Sequence, residues 1–383
     1  MTADPLTVVV APGVLTDDRT AGEVLAAALA ARDLAGTLRT TATAEELTAA
    51  TSEAAPGALL VVAATPEPLA QLLPALPAGA AVRVDLGPGP LDTSPAVTRH
   101  VRGRGLAGLR AGVEAWFHDT TAPPAVVAVG AHPDQHLEVR LPAGPGPHPV
   151  AVLVHGGYWR SRWACDLMDA LAVDLAGRGF AAVNLEYRRP DEHGWAATTA
   201  DVADGLQALS AAAATGTPLD LDRVALLGHS AGGQLVVRLA ADLAGTDAAV
   251  RPALTVSLAG VLDLAAADRR WLSEGAVARA LGGRADEVPD VYATASPLAR
   301  VPVRAPLAVV CGRDDDLDLL DASRTFAAAA VAAGDDVVVL EDAGDHFAVI
   351  DPASALWARV ADLLATRLGA AGPSARAGAA PVP

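Results

Sequence analysis

Gly228-His229-Ser230-Ala231-Gly232 reads G-x-S-x-G, and it falls where an apolar run gives way to a helical pattern. A serine hydroxyl at its ordinary pKa is a weak nucleophile. A sharp strand-to-helix turn, which flanking glycines permit, projects it above a sheet edge. The amide N–H of Ala231, opening the next helix, can stabilise an oxyanion at that point. Gly233 adds a further small residue for close packing. In a glycine-rich chain the pattern alone is balanced against an ordinary turn, so its companions decide.

The first companion is His155-Gly156-Gly157-Tyr158-Trp159, directly after the apolar run Val150 to Val154. Backbone amides at Gly156 and Gly157 supply the other half of an oxyanion hole, and beside Ser230 a plain Gly-Gly turn is the poorer reading. Ser230 also needs a base, and the base an orienting carboxylate. Asp345-His346-Phe347 follows the last expected strand, in a loop short enough to carry an imidazole back over Ser230. Cys311-Gly312-Arg313-Asp314-Asp315-Asp316 follows the strand before it and supplies the acid. The chain order Ser, Asp, His suits such a site. Asp315, at the usual spacing from the strand-end Gly312, is preferred; Asp314 and Asp316 are expected to point elsewhere, and Asp318 is a weaker alternative. His229 is expected to point away from the nucleophile, with no part in proton transfer. His100, His118, His132, His136, His148 and His193 are read as structural or solvent-facing. Tyr158 and Trp159 are candidate pocket walls; Trp163 and Trp195 serve packing at least as well.

These residues need a scaffold that brings strand ends together. Strands at Val150 to Val154, Ala181 to Glu186, Arg223 to Leu227, Leu254 to Leu258, Leu307 to Val310 and Val337 to Leu340 alternate with helical stretches. The helices are Leu167 to Gly177, Ala200 to Ala214, Gly232 to Leu243 and Ala355 to Arg367. Val126 to Val129 and Leu137 to Leu141 open this region as strands, turning at His132, Pro133 and Asp134. The alternation predicts a doubly wound, mostly parallel sheet. The excursion from Leu262 to Pro297, containing Trp271 and Leu272, is short for a lid and points to small or modest substrates.

The first third alternates in the same way: Leu6 to Val10, Ala21 to Ala31, Ala58 to Ala63, Leu69 to Leu76, Ala81 to Asp85 and Leu106 to Phe117. Thr121 to Pro124 reads as a linker. The expected organisation is a smaller α/β accessory domain over 1–120, a catalytic domain over 125–368, and a disordered Ala/Gly/Pro-rich tail over 369–383.

Composition narrows the chemistry. All 28 basic residues among the 383 are arginine, so a Schiff-base lysine, a phosphate loop ending in Gly-Lys-Ser/Thr and a lysine-bound pyridoxal are excluded. A net charge of -17 argues against nucleic acid and anionic membranes as partners. Cys165 and Cys311 lack disulfide-framework or metal-ligand spacing, and both are expected to be reduced and buried. With neither a secretory signal nor a membrane-spanning run legible, a cytoplasmic protein is expected, with a homo-oligomer allowed.

Together, His155 to Trp159, Glu186-Tyr187-Arg188-Arg189, Gly228 to Gly233, Leu258-Ala259-Gly260-Val261-Leu262-Asp263-Leu264, Ser296-Pro297 and Asp345 to Phe347 resemble the α/β-hydrolase superfamily over about Val126 to Leu368. They are most similar to bacterial esterases grouped with kynurenine formamidase and feruloyl-esterase-like enzymes. The resemblance implies a triad of Ser230, Asp315 and His346, an oxyanion hole from the amides after His155 with Ala231, no cofactor, and no metal. It implies hydrolysis of a small ester or aryl formamide, with Tyr187 and Arg188 beneath the site fixing loops. Thr7 to Phe117 resembles type II 3-dehydroquinate dehydratase, a flavodoxin-like fold. It does so through Val8-Val9-Val10-Ala11-Pro12 with Leu15, Ala81 to Leu86, and Gly103 to Leu109. That family uses a tyrosine base and asparagines, whereas Tyr158 is the first tyrosine here and Asn184 the only asparagine, which implies a degenerate copy. Two rival functions stay open: a serine peptidase, disfavoured because no large gating domain precedes the hydrolase region, and a binding or scaffold protein, which a broken triad would favour.

Overall fold

The computed structural model describes residues 5–14 and 17–369 of the chain. Apart from Gly369, the tail expected to be disordered lies outside the described residues. Two compact units result: Met1–Pro123 with Arg162–Asp166, and Pro124–Ser161 with Leu167–Pro383.

The first unit runs β1 (Leu6–Val10), α1 (Asp18–Ala30), β2 (Gly36–Thr40), α2 (Ala44–Ser52), β3 (Leu59–Ala63), β4 (Ala81–Asp85), β5 (Val97–Arg102) and α3 (Ala107–Thr121). Its sheet is parallel throughout, in the order β2-β1-β3-β4-β5, which is the flavodoxin-like order. β1 and β3 are apolar on both faces because helices cover both. Leu60 and Val62 pack with Leu25, Leu109 and Val113 on one side; Leu59 and Val61 pack with Leu47 and Leu69 on the other.

The helix expected over Leu69 to Leu76 is replaced by two short 3₁₀ turns, Glu67–Leu69 and Leu73–Ala75. Pro68 and Pro74 each start such a turn but cannot donate inside an α-helix. At the end of β4, Arg83 bonds Asp85 in two prongs (2.9 and 2.7 Å) and also pairs with Asp92. His100 Nδ1 accepts the Asp92 N–H at 3.0 Å, so the neutral ring carries its proton on Nε2 and donates to Asp85 Oδ2, also at 3.0 Å.

The second unit begins with β6 (Ala125–Ala128), β7 (His136–Arg140), β8 (His148–Val154), α4 (Asp169–Gly177), β9 (Ala181–Glu186), α5 (Pro190–His193) and α6 (Trp195–Ala214). It continues with β10 (Leu219–His229), α7 (Ala231–Leu243), β11 (Leu254–Leu258), α8 (Leu264–Arg269), α9 (Leu272–Leu281) and α10 (Pro289–Ala295). It ends with β12 (Leu307–Gly312), α11 (Leu317–Ala332), β13 (Val337–Asp342) and α12 (Ala355–Leu368). The sheet order is β13-β12-β11-β10-β8-β9-β7-β6, parallel from β13 to β9, with β7 and β6 antiparallel at the edge. This is the doubly wound α/β-hydrolase layout. Successive residues of β10 alternate between the two helix layers: Val224 and Leu226 face Leu206 and Leu235, while Ala225 and Leu227 face Leu171 and Trp357.

The chain leaves β8 for β9 on one side and then reaches β10 on the other. The loops after β8 and β10 therefore part in opposite directions, which opens a crevice at the carboxyl ends of those strands. Among the described residues no helix is long and apolar enough to cross a membrane. Neither Cys165 nor Cys311 forms a disulfide, and both are buried.

Candidate active site

Ser230 follows β10 directly and caps α7 with φ 55° and ψ -116°, a conformation an L-residue holds only when its surroundings impose it. Three main-chain bonds do so. Ser230 N–H donates to Leu258 O at 2.9 Å, and Ser230 O accepts from the N–H groups of Val261 and Gln234, each at 3.3 Å. The turn closes because its glycines lack side chains. A Cβ on Gly228 would lie 2.1 Å from Gly232 O, and one on Gly232 would lie 2.2 Å from Val154 O. As the first residue of α7, Ala231 has an N–H with no acceptor inside the helix.

The loop after β8 runs against this elbow: a Cβ on Gly156 would be 2.7 Å from His229 O and 2.8 Å from Ser230 Cβ. Gly157 follows at φ 110°, then Tyr158 and Trp159 at φ 54° and 57°. Three buried side chains hold this loop. His155 Nε2 lies 3.2 Å from Glu186 Oε1, its ring stacks on Tyr187 at 4.4 Å, and Tyr187 Oη donates to His155 O at 2.9 Å. Burial alone would raise the Glu186 pKa, but Arg189 and His155 beside it hold it well below the usual carboxylate range. Arg189 pairs with Glu186 and, at 2.6 Å, with Asp134. Arg188 bonds Asp201 through its side chain at 2.8 Å.

The three adjacent aspartates have three separate jobs. Asp315 Oδ2 lies 3.0 Å from His346 Nδ1, with the carboxylate 1% exposed and the imidazole 20% exposed. Asp314 ties the two loops together: its N–H donates to Gly344 O and its Oδ2 accepts from Gly344 N, both at 3.0 Å. Asp316 caps α11 by accepting from Asp318 N at 2.8 Å, and Asp318 pairs with Arg270. Gly312 lets the loops meet, since a Cβ there would lie 2.0 Å from Gly344 O.

Two side chains differ from expectation. His229 does not turn away: its ring lies 4.7 Å from that of His346, and its Nε2 is 3.1 Å from the His346 carbonyl. That carbonyl can only accept, so His229 carries its proton on Nε2 and pins the loop of His346 to the strand that leads into Ser230. Burial, with the neighbouring His346 charge, pushes the His229 pKa down to about 3. Trp159 is not a pocket wall. It is 1% exposed, with Nε1 donating to Gln234 Oε1 at 3.1 Å and an edge contact to Trp195, because an indole held inside needs a partner for its N–H. Tyr158 stays partly open, and its hydroxyl pKa is raised by burial and then by the charges of Asp316 and Asp315. The bonds to Gln234 and His229 carried no sequence signal, since both arise from pairings between distant segments.

The BD-FAE family model matches residues 137–329, just over half of the chain. No curated protein matches the sequence. Among solved structures, the fold is similar to a truncated carbohydrate esterase from gut microbiota, 18% identical with a TM-score of 0.56, covering 64% of this chain and 95% of that one. A bacterial heroin esterase is 23% identical, TM-score 0.52, with 64% and 83% covered. A bifunctional GH43-CE protein of Bacteroides eggerthii is 20% identical, TM-score 0.54, with 63% of this chain covered; this chain spans only 35% of that protein's length. With its crevice at the β8/β10 divide and the family match running from β7 into α11, the chain belongs to the BD-FAE family of esterase-like α/β-hydrolases.

Proposed function

We propose that the second unit is a serine hydrolase that cleaves small carboxylic esters or aryl formamides through an acyl-enzyme. Ser230 is the nucleophile, His346 the base and Asp315 the orienting acid. The bond between Asp315 and His346 Nδ1 carries this reading, because it fixes the ring and leaves Nε2 to take the Ser230 proton. As Ser230 Oγ attacks the carbonyl carbon, the oxygen gains charge, and the amides of Ala231, Gly156 and Gly157 are the donors suited to receive it. His346 then returns its proton to the leaving alcohol or amine, and water, activated by the same imidazole, releases the acid and restores Ser230. The buried Glu186–Arg189 pair, with Tyr187, positions the oxyanion loop through His155. Tyr158, which follows the oxyanion-loop glycines and stays partly open, is the side chain best placed to meet substrate.

The test compares wild type with Ser230→Ala on p-nitrophenyl acetate and butyrate, N-formylkynurenine and an acetylated sugar, with fluorophosphonate labelling in parallel. Turnover and labelling in wild type alone support the reading, and the preferred substrate separates ester from formamide. A folded wild type that neither turns over nor labels overturns it and favours a binding protein.

A further inference from the structure

The hydrolytic chemistry leaves unused two histidines and a carboxylate elsewhere in the second unit. His132 and Asp134 lie in the turn between β6 and β7, and His193 ends α5. The two imidazoles approach to 4.6 Å between ring centroids, with their planes at 72°. One ligand atom from each of His132, Asp134 and His193 lies within 4.8 Å of the other two. The Asp134 side chain is 6% exposed and fixed by Arg189, whereas those of His132 and His193 are 32% and 26% exposed. One ligand is thus dry and anchored, and two stand at the rim within reach of solvent.

Charge favours a cation at this place. Arg189 is shared between Asp134 and Glu186, and the Glu192 carboxylate lies 3.9 Å from His193 Nε2. Two carboxylates thus share one guanidinium, and Glu192 adds a further negative charge beside His193.

We propose that His132, Asp134 and His193 form a site for a divalent transition-metal ion of the Zn²⁺ class. Two imidazole nitrogens with one carboxylate suit Zn²⁺ or Co²⁺, whereas Mg²⁺ and Ca²⁺ call for oxygen alone. Tetrahedral bonds of about 2.0–2.1 Å place ligand atoms roughly 3.4 Å apart, so the rim rings must swing inward by about an ångström. His132 Nδ1 now accepts the Asp134 N–H at 3.1 Å and gives up that bond as its ring swings, and the exposure of both rings leaves room for the movement. Glu192 or water completes the coordination. The ion does not enter the hydrolytic reaction.

The experiment uses the full chain without an affinity tag, stripped by dialysis against a chelator and titrated with Zn²⁺ by calorimetry and with Co²⁺ by visible absorption. Wild type is expected to take up one equivalent with a Kd on the order of micromolar and to show the intense bands of tetrahedral Co²⁺. His132→Ala and His193→Ala are each expected to weaken Zn²⁺ binding by about fivefold or more. Both residues lie at the surface, and unchanged ester turnover with an unchanged Tm in metal-free buffer shows that the variants fold. If wild type binds no metal at a hundred-micromolar excess, or if either substitution weakens binding by less than about fivefold, the cluster is a packed imidazole pair and the site does not exist.

Discussion

The two units share one construction, a parallel sheet with helices on both faces, and differ in what they place at the strand ends. In the first unit Arg83 and Asp85 of β4, Asp92 of the segment that follows and His100 of β5 are all turned on one another and largely shut off from water. In the second, Asp315 is equally dry but holds an imidazole that reaches solvent, and Ser230 sits on a strained elbow. Backbone strain divides the same way. Tyr158, Trp159, Ser230 and Ala259 sit at positive φ just after β8, β10 and β11, whereas Asp33, in the turn from α1 to β2, is the single non-glycine residue of this kind among the described residues of the first unit. Buried charge that answers only to itself maintains a fold; charge coupled to an exposed, strained group can do chemistry.

Ser230→Ala should break the second unit's chemistry outright, lowering kcat by on the order of 10⁶-fold with little change in Tm. His100→Ala is its counterpart. It leaves a buried Asp85 short of a donor, so it should cost about 2 kcal/mol of the first unit's stability while turnover per folded molecule stays the same. Steady-state kinetics with urea unfolding reads both. The comparison fails if His100→Ala abolishes turnover in protein that remains folded.

Next in size is the division of labour among the aspartates. Asp315→Asn removes the charge that orients His346 and stabilises its protonated form, and kcat should fall by about 10³- to 10⁴-fold with KM little moved. Asp314→Asn keeps an acceptor for Gly344 N–H and Asp316→Asn keeps a helix cap, so each should change kcat by less than about tenfold. A larger loss in either would move the acid to that residue.

Much of this was legible in the residues. Central strands such as Leu59–Ala63 and Leu307–Gly312 are apolar on both faces and announce themselves, and the glycine spacing around Ser230 marks the elbow. β2 and β5 did not, because Gly36-Thr37-Leu38-Arg39-Thr40 and Val97-Thr98-Arg99-His100-Val101-Arg102 are polar edge strands whose pairing supplies what their composition lacks. α2 does carry a signal: Thr43 Oγ1 accepts Glu46 N–H at 3.2 Å, and Glu46 returns to Ala42 N–H at 2.8 Å, a capping pattern visible as Thr-Ala-Glu-Glu. The role of His229 was illegible, since its partner is a backbone carbonyl more than a hundred residues away.

Glycines sharpen the contrast at a smaller scale. A Cβ at Gly232 meets the backbone carbonyls of Val154 and His155 at 2.2 and 2.6 Å, which cannot retreat without moving β8. At Gly112, inside α3, a Cβ meets Val84 Cγ2 and Leu60 Cδ1 at 2.6 and 2.8 Å, the ends of side chains that can rotate. Gly232→Ala should therefore cost about 3 kcal/mol or more and most of the activity, and Gly112→Ala about 1–2 kcal/mol with activity kept. Equal costs in a urea titration would mean that the elbow is no tighter than ordinary core packing.

The smallest effect separates the units by pH. Burial lowers the pKa of His229 to about 3 and also lowers that of His100, from an ordinary 6.5. A histidine kept neutral in the fold but free to protonate when unfolded favours unfolding as pH drops below 6.5, so each unit should lose stability on acidification from that point. Between pH 6.5 and 5.5 the loss is about 1 kcal/mol for His229, and a loss of the same sign is expected for His100, read separately from the exchange of β10 amides in the second unit and β3 amides in the first. His229→Gln should flatten the acid slope of the β10 amides alone, and His100→Gln that of the β3 amides alone. The slope, not the absolute protection, is the quantity to compare, because each substitution also removes a hydrogen bond at every pH. If His229→Gln leaves the β10 slope unchanged, His229 is protonated in the folded protein. It would then act on the His346 loop as a charge and not as a neutral clamp.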